Sequence, residues 1–179
     1  MVTPISQLTL SERLFLVGGL WPLLVPGFSV IVLMLVLLMP TLPQAPWLPS
    51  LGLGAVLFWT IHQPRGMPPA LVFLLGCLQD LWTGMPLGPS ALGWLLIAVV
   101  VRTQLLVFQS RPFRFEWMVL LPTIGLALAL LWILADMATP QSLSAGDLPV
   151  RWLSTWLCYP AEANLCGRIW AWALERRFR

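Results

Sequence analysis

The stretch GCLQDLWTGMPLGPSAL, residues 76–92, sets one aspartate, three glycines and two prolines between two strongly apolar runs. A continuous helix through Gly84-Met85-Pro86-Leu87-Gly88 is disfavoured, because proline removes a backbone donor and clashes with the preceding turn. Glycine meanwhile accepts backbone conformations that other residues avoid. The segment reads as a tight turn joining two helices. Asp80 ends the first, and Pro89 opens the second at a first-turn position where its missing N–H costs nothing. Gly84 and Gly88 also carry the G-x-x-x-G spacing of packed transmembrane helices, but the proline between them favours the turn.

Working outward, the apolar runs on either side belong to a chain of 179 residues that is 59% hydrophobic and 9% charged, with a mean hydropathy of +0.85. That composition lies far from that of soluble domains and predicts a polytopic membrane protein. The net charge of +3 does not indicate nucleic acid, since the arginines are scattered between apolar runs and form no continuous basic patch. Cys158 and Cys166, eight apart on one predicted helix, would lie about 12 Å apart along its axis, too far for a disulfide. The single histidine, His62, has no cysteine or second histidine near it in sequence, so no zinc spacing exists. The N-terminal residues MVTPISQLTLSERLF lack the basic n-region and small-residue cleavage site of a signal peptide.

Six apolar segments are predicted, at about 15–38, 48–61, 70–82, 89–108, 117–134 and 152–174, forming one membrane domain over 1–179. Pro22 and Pro26 are expected to kink the first. The second and third fall below the ~20 residues that normally span the hydrocarbon core, so they are tilted, extended by their flanks or packed inside the bundle. Charge tests this plan independently. Arg13, Arg65, Arg111, Arg114 and the C-terminal Arg176, Arg177 and Arg179 all fall on one side of a six-span arrangement. By the positive-inside rule both termini are then cytoplasmic, and a five-span alternative would separate the terminal arginines. Trp47, Trp82, Trp117, Trp152 and Trp172 fall near span ends, as interfacial anchors do, whereas Trp59, Trp94 and Trp132 are expected to pack the core.

Few residues offer chemistry. Asp80 is either a turn carboxylate accepting backbone N–H bonds from the Thr83-Gly84 region, or a functional acid. In the sixth segment Pro160-Ala161-Glu162-Ala163-Asn164 places a carboxylate and an amide near mid-membrane, where each needs a partner. Glu162 can pair with Arg102 of the fourth segment or, at a poor helical spacing, with Arg168. It is then a structural contact between helices or a substrate or proton site. Arg102 can instead snorkel toward the cytoplasm. There is no phosphate loop, H-E-x-x-H, G-x-S-x-G or paired carboxylate, so no catalytic residue is assigned.

The pattern G-x-x-x-D-L-x-x-G-x-P-L-G-x-x-A-L, carried by Gly76, Asp80, Leu81, Gly84, Pro86, Leu87, Gly88, Ala91 and Leu92, resembles the rod shape-determining MreD family of bacteria. Size, the six-span plan, the proline-rich connection before the second span and the arginine-bearing tail are similar too, although the specific likeness rests on residues 76–92. The resemblance implies a non-enzymatic protein of the bacterial inner membrane, without cofactor or metal, in the machinery that builds peptidoglycan along the side wall. It implies MreC as the most direct partner, with MreB, RodA and a class B penicillin-binding protein reached through the complex, and membrane lipid around it. It also implies an all-α fold of six transmembrane helices, some short or kinked, like the substrate-binding subunits of energy-coupling-factor transporters. A small-molecule-binding subunit of such a transporter is the alternative. Those subunits usually carry Ala-x-x-x-Ala on the first span, which has no alanine here, and pocket-lining polar groups, of which this chain offers few: Asp80, Glu162 and Asn164, together with Thr123 or Gln104. In the family reading Gly76, Asp80, Gly84, Pro86, Leu87 and Gly88 form a partner-binding hairpin.

Overall fold

A computed structural model describes residues 21–37, 48–84, 87–106, 112–138 and 145–177. Among them the fold is all-α: α1 (Trp21–Leu37), α2 (Leu51–His62), α3 (Pro69–Thr83), α4 (Pro89–Thr103), α5 (Phe113–Ala138) and α6 (Leu148–Arg177), the last preceded by a short 3-10 turn at Ala145–Asp147. Each predicted apolar segment contains one helix. The ends differ most at α4, which stops at Thr103 rather than near Phe108, and at α5 and α6, which begin about four residues earlier than hydropathy alone suggests. The early starts include Glu116 and Arg151, polar residues that a hydropathy reading excludes and a helix tolerates.

Helix α2 is the axis of the bundle. Its ten consecutive residues from Gly52 to Ile61 are all buried, which selects among the options for so short an apolar segment: it is wrapped by its neighbours. It packs against α1, α4 and α6. Against α6 it runs parallel, with Ser50 donating its N–H to Thr155 Oγ1 (2.9 Å), Gly54 facing Glu162, and the rings of Trp59 and Trp170 meeting edge to face at 5.8 Å. Against α1, Trp59 donates its indole N–H to Ser29 Oγ (2.7 Å), and Ser29 in turn donates to the Pro26 carbonyl (2.8 Å). Trp59 and Trp94 are core residues as expected, whereas Trp132 is only half-buried.

Three interior prolines sit in helices, Pro26, Pro122 and Pro160, and at Pro160 the neighbouring helix makes good the lost bond. Proline at position 160 leaves the carbonyl of Trp156, four residues earlier, without its helical donor. Trp117 of α5 supplies one, its indole N–H donating to Trp156 O at 3.1 Å, while Trp156 donates to Trp117 O at 2.8 Å. The two rings stack at 4.4 Å between centroids and 3° between planes. One turn away Trp152 donates to Leu121 O (2.7 Å), in space that a Cβ at Gly125 would crowd. The α5–α6 seam is thus a ladder of indoles, and Trp117 and Trp152 serve it.

Only α5, over Phe113–Met137, is by length and composition long and apolar enough among the described residues to cross a membrane; α1 to α4 are shorter apolar helices.

Candidate functional site

The hairpin of residues 76–92 is built from both of its arms. Helix α3 ends at Thr83, and Gly84 follows in the left-handed region at φ +68°, its N–H bonded to the main-chain carbonyl of Asp80. Gly88, at φ +132°, precedes α4, which opens with Pro89. Pro86 lies outside the described residues. The arms touch at Gly76, where an added Cβ would overlap the backbone of Ala91, so the helices meet here at backbone-to-backbone distance.

Asp80 is fully buried, and its carboxylate caps the second arm from the first. Oδ2 accepts the Gly88 N–H at 2.8 Å and Oδ1 the Ser90 N–H at 3.0 Å. This corrects the expectation of donors from Thr83 and Gly84. The Gly84 N–H is already taken by the Asp80 main-chain carbonyl, so the side chain is left to satisfy the open N–H groups at the start of α4. A carboxylate there also meets the positive end of the helix dipole. Leu81 (62% exposed), Leu87 (64%) and Leu92 (44%) point away from the bundle on this hairpin.

The polar residues expected near mid-membrane, Arg102, Glu162 and Asn164, separate. Among the described residues Arg102 pairs with no carboxylate: one terminal nitrogen donates to Pro64 O (3.1 Å) and to Met67 O, closing the α2–α3 turn. Glu162 therefore pairs with neither Arg102 nor Arg168. It is 4% exposed, both its oxygens lack a hydrogen-bond partner, and a Cβ at Gly54 would overlap its carboxyl group. The α6 face that carries Glu162 is turned to α2, whereas Arg168 is exposed. Asn164 is exposed as well, donating to Pro160 O of its own helix (2.8 Å), so it does not join Glu162.

A second polar cluster was missed by the sequence reading. Glu116 and Tyr159 are both buried, and Tyr159 donates its O–H to Glu116 Oε1. His62 lies at the surface with Nε2 3.7 Å from Glu116 Oε2, its ring stacked on Phe58 and its Nδ1 3.1 Å from the Phe58 carbonyl oxygen. The signal was slight: Tyr159 is the only tyrosine and precedes Glu162 by one helical turn, and Glu116 is the only acid near the start of the fifth segment. Among the described residues no group of three or more His, Cys, Asp or Glu is placed to hold a metal ion.

Comparison of the chain with protein-family models, with curated proteins and with solved structures gives no match.

Proposed function

We propose that this chain is a multi-pass protein of the bacterial inner membrane, with six spans and both termini cytoplasmic, that acts without catalysis in the cell-elongation machinery by binding MreC. Through MreC it would support lateral peptidoglycan synthesis by RodA and a class B penicillin-binding protein along MreB filaments. The observation that carries the reading is the hairpin itself. The residues of the MreD-like pattern divide into those that lock it, Gly76, Asp80, Gly84 and Gly88, and those that present apolar side chains outward, Leu81, Leu87 and Leu92. A rigid apolar edge suits docking of a transmembrane helix, because a preordered surface loses little entropy on binding.

Membrane residence is supported by the apolar span of α5 and by large apolar side chains exposed on α1, α3, α4, α5 and α6, among them Phe28, Leu74, Leu96, Met118 and Leu157. The short α2 fits this reading because it is shielded by other helices rather than by lipid.

Affinity purification from native membranes in mild detergent, with co-purifying proteins identified by mass spectrometry, tests the proposal. MreC and the wall synthases are expected. Recovery of paired ATPases with a coupling subunit would replace it with the transporter reading, and Glu162 would become a candidate ligand contact.

A further inference from the structure

At the end of the bundle where α2, α4 and α6 begin and α3 and α5 finish, a cavity of about 70 Å³ is lined by Ser50, Gln79, Ser90, Trp94, Trp132 and Arg151, among others. That volume exceeds the ~10–15 Å³ one water requires and has room for a small polar group. One buried donor in that lining is left unsatisfied. Trp94 is 1% exposed and its indole N–H, a donor with no acceptor capacity, has no partner. The Ser50 side chain caps no helix, although Ser50 stands at the start of α2. Among the described residues the guanidinium of Arg151 meets no carboxylate within ion-pair distance, and the side chains of Ser90 and Gln79 reach the same cavity. A buried donor left open is costly, so an acceptor in this cavity would relieve a standing penalty.

Charge sharpens the inference. Asp80, the buried carboxylate nearby, does not line the cavity and each of its oxygens already accepts a backbone N–H, from Gly88 and Ser90, while the Thr83 hydroxyl is spent on the carbonyls of Gln79 and Asp80. The lining itself carries one cation, Arg151, one open indole donor, Trp94, and the adaptable side chains of Ser50, Ser90 and Gln79. The N-terminal ends of α2 and α6 also present their positive dipole ends here.

We infer that this cavity is a binding site for an oxyanion of the phosphate class, held by the Arg151 guanidinium and the Trp94 indole N–H, with Ser90 and Gln79 completing its shell. Arginine suits the role because its planar fork matches two oxygens at once. The oxyanion is either free phosphate or the phosphate of a lipid headgroup at that end of the bundle. The site is independent of the partner assigned above, since it concerns the interior of the bundle end and not the outward leucines.

The test uses the full chain in two settings: titrated with inorganic phosphate in neutral detergent by calorimetry, and reconstituted in phosphatidylcholine nanodiscs with a minor fraction of phosphatidylglycerol, with retained lipid counted by native mass spectrometry. Saturable binding at one site is expected in at least one setting. Arg151→Gln should weaken it by about tenfold or more, as loss of a charge-assisted bond does, and Trp94→Phe by about fivefold. Arg65→Gln, in the exposed α2–α3 turn at the opposite end, should change nothing, and circular dichroism should show unaltered helix in all three variants. Phosphate binding identifies a free oxyanion, and phosphatidylglycerol retention without it identifies a headgroup. Absence of saturable binding in both settings, or equal weakening by Arg65→Gln, overturns the inference.

Discussion

Asp80 joins two helices with one side chain. Removing its carboxylate would leave the buried Ser90 N–H and the half-buried Gly88 N–H open, so Asp80→Ala should destabilise the protein by about 3 kcal/mol in reversible denaturation. Asp80→Asn keeps one acceptor oxygen and should cost about half of that. Glu162 behaves in the opposite way. Its carboxyl oxygens make no hydrogen bond that an amide would lose, so Glu162→Gln, of nearly the same shape, should alter stability by less than about 1 kcal/mol. Sequence singled out both residues, because a carboxylate in an apolar run is visible as such. Their partners were not visible: whether a side chain turns to its own helix end or to the next helix is decided by which N–H groups the backbone has already used.

Between helices, close approach depends on glycine, and Gly76 and Gly54 differ in what they tolerate. At Gly76 an added methyl meets the Ala91 backbone, which cannot swing aside, and Gly76→Ala should cost toward the upper end of about 1–3 kcal/mol. At Gly54 it meets the end of the Glu162 side chain, which can be shortened. Gly54→Ala combined with Glu162→Ala should therefore be more stable than the sum of the single changes by about 1 kcal/mol, measurable as a double-mutant cycle. The α5–α6 seam allows a similar cycle. Trp117→Phe strips the Trp156 carbonyl of its donor, at about 1–3 kcal/mol, whereas in a Pro160→Ala background the helix restores that donor and the loss should shrink. Of the seam tryptophans, Trp117 and Trp152 were legible in sequence only as residues near predicted span ends, and Trp156 was not singled out. Their reciprocal bonds arise from the register of α5 on α6, which no local pattern in either segment encodes.

On the scale of the whole molecule, the order and approximate limits of six helices followed from hydropathy, because each apolar run is bounded by proline, glycine or charge. The central position of α2 did not follow. Its only hint was shortness, and the same shortness in α3 belongs to a helix with an exposed face. The Glu116–Tyr159–His62 cluster was hidden for a related reason, since its members lie on three helices and more than 40 residues separate each from the next (54 from His62 to Glu116, 43 from Glu116 to Tyr159). The outward leucines give a prediction at this scale. Leu81→Ser with Leu87→Ser should leave the fold and its unfolding transition within about 1 kcal/mol of the wild type, because both side chains are exposed, while recovery of MreC in pull-downs falls steeply.

On the proposed multi-pass reading, the cap that Asp80 places on α4 also bears on how the chain would enter a membrane. Helix α3 carries a carboxylate that finds its donors only eight and ten residues later, beyond the turn. Released alone from the insertion machinery, α3 would take that group into lipid unmet; held until the start of α4 has emerged, it leaves with the group already bonded. The two helices are therefore expected to partition as one unit during synthesis, and ribosome-stalled chains ending before Gly88 should resist transfer to the bilayer where chains ending well after Thr103 do not.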